Sequence, residues 1–246
     1  MKLLALDTAT EWCSVALLLN GAVHTREVHA ARGHGDHVLA LVDSLLSEAG
    51  VALRSLDAIA FGRGPGAFTG VRLAASVTQG LAFAAGLPVI PVSDLRALAQ
   101  QALSRRYAID QGASLEHELP VLVCHDARMG EVYWAGFVIA DGFAQAATAE
   151  AVTKPENLFG AAQAWLGRAA GAALGVGSGF AQYPSLVSLV TIVMPELLPR
   201  AAEIAALAER DGLASAIAPE LAVPVYVRNN VATISGANTA VGCDPR

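Results

Sequence analysis

With 246 residues, 54% of them hydrophobic and 15% charged, the chain can build one large domain or two small ones and is not a disordered polymer. Sixteen basic against 22 acidic residues give a net charge of −6 without the basic stripe of a protein that grips nucleic acid alone. Three scattered cysteines (Cys13, Cys124, Cys243) form neither a C-x-x-C pair nor a disulfide framework. With no apolar run long enough for a signal core or a membrane span, they point to a soluble cytoplasmic protein.

The first elements read as strands. "KLLALDT" is an apolar run closed by Asp7 and Thr8, "CSVALLL" follows it, and a turn at Asn20-Gly21 leads into "AVHTREVHA". A helix is predicted from about 35 to Ala49, stopped by Gly50. Then come a buried strand "LDAIAFG", a helix from Phe68 to Ala85 ended by Gly86, a strand "PVIPV", and a helix from Ser93 to about Leu103. After a polar linker over 108–119 the pattern restarts: strand "PVLVCHDAR", strand "EVYWAGFVI", a helix at about 155–169 and a strand "AALGVGS". A short apolar segment, "SLVTIVM", and a helix at about 199–210 complete it. "LLALDTATEWCSVALLL" and "VLVCHDARMGEVYWAGF" share the scheme strand, Asp, turn, strand, which suggests two related halves. The expected division is a first lobe over 1–106, a second over 107–231, and a polar tail over 232–246.

The loop "GRGPGAFTG" between a strand and a helix places free backbone N–H groups at a helix start, a setting that suits an anion. No Lys-Ser or Lys-Thr follows its last glycine, so it is not a Walker loop. Gly62, Gly64 and Ala67 fit G-x-G-x-x-A, and Asp94 ends the next strand where a ribose-binding acid would sit. Against a dinucleotide site stand Pro65, which removes a donor, and the three strands that precede the unit. The competing reading is a tight turn that lets strand and helix pack closely.

Asp7 with Thr8, and Asp126 with Arg128, sit at turns that would face one another across a cleft; turn-stabilising Asp and Thr are the plainer account of them. His34 and His37 lack the i, i+4 spacing and third ligand of a zinc site. Cys124 and His125 point to opposite strand faces, and "GVGSGF" misses the serine-elbow pattern, so no catalytic constellation emerges. The two helices 35–49 and 68–85 are apolar on more than one face: in the first, Val38, Leu41 and Leu45 form one stripe and Leu39, Val42, Leu46 and Ala49 another. Gly70, Ala74, Ala75 and Gly80 are small enough for a second helix to approach. This excess favours a helical surface completed by a partner, with Arg72 and Thr78 among its polar residues.

"GPGAFTGVRLAAS" resembles the GPGSFTGxR signature of the TsaB (YeaZ) family, with Ala67 at the usual serine position. "LALDTATEWCSVAL", "DARMGEVYWA" and "PVYVRNNVA" resemble further segments of that family in the same order, over about residues 2–231. The resemblance implies an α/β protein of the ASKHA fold (actin, Hsp70 and sugar kinases), two related ribonuclease H-like lobes. It implies a non-catalytic subunit that pairs through first-lobe helices with TsaD, works with TsaE, and serves threonylcarbamoylation of the tRNA adenosine beside the anticodon. It also implies a homodimer of the isolated chain, tRNA contacted only indirectly, and no membrane.

The metal-binding H-x-x-x-H pair of TsaD has no counterpart in "PVSDLRALAQ", where Ser93, Asp94 and Leu98 stand. No metal and no tightly bound cofactor is therefore expected. The superfamily's phosphate hairpins correspond to Asp7, Thr8 and Asp126, and its adenosine loop lies near Gly177. "DTATEW" lacks the glycines that admit a phosphate, so weak or no nucleotide binding is expected outside a complex. The alternative is an ASKHA-type small-molecule kinase or ATPase using the cleft.

Overall fold

The computed structural model describes residues 1–30, 33–109, 118–167 and 173–228; the expected tail over 232–246 lies outside them. The first lobe holds β1 (Lys2–Asp7), β2 (Trp12–Leu19), β3 (Ala22–His29), α1 (His34–Ala49), β4 (Ala58–Gly62), α2 (Phe68–Ala85) and β5 (Val89–Val92). After α3 (Asp94–Ile109) come β6 (Leu119–Arg128), β7 (Glu131–Ala140), β8 (Phe143–Ala146), β9 (Ala151–Thr153) and α4 (Pro155–Leu166). β10 (Leu174–Val176), α5 (Gly179–Gln182), β11 (Ile192–Met194) and α6 (Ala201–Asp211) follow.

The suggested repeat is real at the level of topology. The first sheet runs β3-β2-β1-β4-β5 and the second β8-β7-β6-β10-β11, with β9 added against β7. In both, a hairpin pairs antiparallel and two later strands join parallel to its first member. Strands β1 and β4 are buried throughout apart from Lys2, because helices cover both sheet faces. Leu4, Leu6, Ile59 and Phe61 meet α1 and α2 on one side, while Leu3, Ala5, Ala58 and Ala60 meet α6 on the other.

The two lobes exchange helices. Leu95, Leu98, Ala99 and Ala102 of α3 pack on Val121, Val123 and Phe137 of the second sheet. Ile204, Ala205, Leu207 and Ala208 of α6 pack back on the first. Arg96 clasps the two helices together through Asp211, with its guanidinium nitrogens at 2.6 and 3.0 Å from the carboxylate. The segment after α6 also returns to the first lobe, where Ile217 bridges to the edge strand at Val89 and the Val225 N–H donates to the Arg63 carbonyl at 2.8 Å.

Candidate functional site

The β1–β2 turn and the β6–β7 turn face one another across a cleft of about 470 Å³. Ala9–Glu11 form one lip, His125–Arg128 the other; Pro65–Phe68 of the glycine loop and Val225–Arg228 close the sides. Arg228 reaches Glu131 at 2.5 Å and the Ala127 carbonyl at 3.1 Å, which ties the returning segment to the second hairpin. At the rim, the Arg72 guanidinium lies 3.6 Å from the centroid of the Phe68 ring and donates to the Tyr226 hydroxyl at 2.7 Å.

The glycine loop is built for close packing against the first hairpin. A Cβ on Gly66 would strike Ala9, and one on Gly70 would overlap the Thr8 carbonyl oxygen. The Ala67 N–H donates to the Ala9 carbonyl at 2.8 Å, the Thr8 hydroxyl donates to the Gly70 carbonyl at 2.7 Å, and the Gly64 N–H is taken by the Asp94 carboxyl. Gly64, at φ 97°, supplies the left-handed turn that brings the chain round. Two of the amides that a phosphate would need are thus spent within the protein.

Of the nucleotide candidates, only Asp126 lines the cleft, and its carboxylate holds the Arg128 N–H at 3.0 Å. Asp7 and Thr8 are fully buried behind the first hairpin. Gly177 is also buried; a Cβ there would meet the Cys124 carbonyl, so its bareness serves strand packing. The ribose reading of Asp94 is corrected: its side chain turns inward under the glycine loop rather than into the cleft.

His125 borders the cleft with Nδ1 3.1 Å from the Ser178 hydroxyl, which also accepts the Asp126 N–H at 3.1 Å. Burial holds the His125 imidazole below its usual range and pushes the neighbouring Cys124 thiol well above its own. Burial likewise lowers His34, and among the described residues no three His, Cys, Asp or Glu side chains converge as metal ligands would. No described helix is long and apolar enough to cross a membrane.

The partner-docking candidates divide. Val38, Leu45, Gly70, Ala74, Ala75 and Thr78 are buried in their own lobe, and Leu41 is half-buried. Gly70, Ala74 and Ala75 of α2 admit the chain's own hairpin and sheet, not a second protein, because that face of the helix lies on β1 and β4, whereas Gly80 faces open space. Arg72 is exposed, at the cleft rim. Sequence reasoning missed the residues that do reach the surface: Leu39, 54% exposed on α1, and Phe83, 82% exposed on α2. Leu46, Leu53 and Leu81 are half-buried beside Leu39 around an open groove, while Phe83 lies in a separate one with Leu213 and Ile217. Helical spacing placed Leu39 and Leu46 in a second stripe of α1, which was the available signal.

The family model described as TsaD, tRNA N6-adenosine threonylcarbamoyltransferase, matches residues 25–236. The Escherichia coli protein named tRNA threonylcarbamoyladenosine biosynthesis protein TsaB is 39% identical over 94% of this chain and 96% of its own length. Its Haemophilus influenzae namesake is 38% identical over 94% and 95%. Two solved Pseudomonas aeruginosa structures align over 92% of this chain and 99% of theirs. One, described as similar to the peptidase YeaZ, has 43% identity and a TM-score of 0.80; the other, titled YeaZ, has 41% and 0.77. The paired five-stranded orders and exchanged helices agree with the ASKHA architecture that the sequence implied. The chain belongs to the TsaB (YeaZ) family, within the wider group that the TsaD family model describes.

Proposed function

We propose that this chain is a non-catalytic scaffold and activating subunit in threonylcarbamoylation of the tRNA adenosine beside the anticodon. Its partner is a TsaD-type transferase, joined by a TsaE-type ATPase. The chain docks through the exposed face of α1 and α2, self-pairs there when alone, meets tRNA only through its partners, and works in the cytoplasm. ATP or ADP enters only in the complex. The observation that carries this reading is the open groove between α1 and α2, where the exposed Leu39 stands with the half-buried Leu46, Leu53 and Leu81 as an apolar surface. The relatives' names supply the pathway.

The test is co-purification with a TsaD homologue. Leu39→Glu is expected to abolish pairing while leaving the thermal midpoint within a few degrees, since the side chain is already half in water. Retained pairing in a folded variant would place the interface elsewhere.

The cleft favours a second reading, a small-molecule kinase or ATPase with Asp126 at its lip. Calorimetry of the isolated protein with ATP and magnesium is expected to give no micromolar binding and no turnover. Both together would overturn the scaffold role.

A further inference from the structure

Beneath the glycine loop, two carboxyl groups meet out of reach of water. Asp7 ends β1 and Asp94 opens α3, and the two are 0% and 1% exposed. They lean together across Gly62 at the end of β4, where a Cβ would collide with both side chains. Asp7 Oδ1 accepts the Ala9 N–H at 2.8 Å, and Asp94 Oδ2 accepts the Gly64 N–H. The Asp94 N–H in turn donates to the Gly64 carbonyl at 3.1 Å. That leaves Asp7 Oδ2 and Asp94 Oδ1 buried with no N–H or other donor from the rest of the protein.

The charged and titratable groups that face the pair are few. Arg200, ahead of α6, acts on Asp7; Arg63, after β4, acts on Asp94; the Cys13 thiol of β2 faces Asp7. Neither arginine is free to neutralise a carboxylate directly. Arg63 is held by Glu150 at 2.9 and 3.2 Å, and Arg200 pairs with Glu27 at 3.2 Å and lies 4.4 Å from the Trp12 ring centroid. Two adjacent buried anions with no direct counter-ion are strongly unfavourable. One proton between them removes a charge and gives both orphaned oxygens a partner.

We propose that Asp7 and Asp94 share a single proton at neutral pH, forming an acid–carboxylate bond that latches the end of β1 to the glycine loop and the start of α3. The proton resides on Asp94, which donates to Asp7; its loss to solvent at alkaline pH sets two carboxylates against each other and loosens the turn that aims α2. The directions of titration agree. Burial raises Asp7 to about 6, and burial together with the Asp7 charge holds Asp94 well above the usual carboxylate range.

The decisive measurement is carbon-13 NMR of the aspartate carboxyl groups in the full chain, titrated from pH 5 to 10. One carboxyl of the pair is expected to keep a protonated shift at pH 7 and to move only at higher pH. That resonance should vanish in Asp94→Asn, whose amide donates to Asp7 and still accepts the Gly64 N–H. If both carboxyls carry ionised shifts at pH 7, the shared proton is refuted. The wild-type titration decides this whether or not the variant folds. Thermal melts give a second readout: Asp94→Asn should match or exceed the wild-type midpoint at pH 8, and Asp94→Ala should fall below it. Equal losses in the two variants would also overturn the latch.

Discussion

Gly70 and Gly80 lie on the same helix and have opposite reasons to be glycine. A methyl group at Gly70 would overlap the backbone oxygen of Thr8, which no rotamer change can move aside, whereas Gly80 faces open space. Gly70→Ala should therefore cost about 1–3 kcal/mol through forced displacement of the hairpin from α2. Gly80→Ala should gain roughly 0.5–1 kcal/mol from the lost unfolded-state freedom of glycine. Urea denaturation of the two variants checks the pair, and shifts of the same sign would contradict the packing account. The sequence marked both positions only as small residues on an apolar helix. Asp94 was equally half-legible: its place at a strand end was plain, but its partner Asp7 is distant in sequence and only the folded sheet brings them together.

At the level of elements, the strands that close each lobe were readable because long apolar runs end at turn residues, as at Asp7 and at Asn20-Gly21. β8 and β9 escaped notice because FAQA and AVT are too short for alternation to register. The helices posed a different difficulty. Periodicity shows that α2 has an apolar stripe but not which neighbour covers it. The stripe with the smallest residues, Gly70, Ala74 and Ala75, suited a foreign helix and proved to lie on the chain's own sheet. The proposed docking face follows from that division. A charge at Ala75 would enter the core and unfold the lobe, so its loss of pairing would say nothing about an interface. A charge at Leu39 stays in solvent until a partner arrives, which is why Leu39→Glu separates docking from folding.

Across the whole molecule, α3 crosses to the second sheet and α6 returns to the first, so stability at either sheet depends on both halves of the chain. The return of α6 half-buries Glu203 near Arg200 and Glu27, with Oε2 out of water and lacking a partner. Burial pushes its carboxyl up to about 7; the nearby Arg200 charge offsets only part of this, and Glu27 adds to it. The sign follows from linkage. A carboxyl with a raised folded pKa binds more protons in the folded state, so it favours folding fully below its unfolded value and loses that contribution as pH rises through the folded one. Asp7 and Asp94 are shifted the same way, so the three together should place maximal stability on the acid side of neutrality. Glu203→Gln keeps the shape of the side chain without its titration. Its stability should fall less than the wild type's between pH 4.5 and 7, by roughly 2 kcal/mol. Urea midpoints measured across that range give the comparison. Parallel wild-type and variant profiles would mean that Glu203 ionises freely and that its burial against the first lobe is looser than the packing of α6 implies.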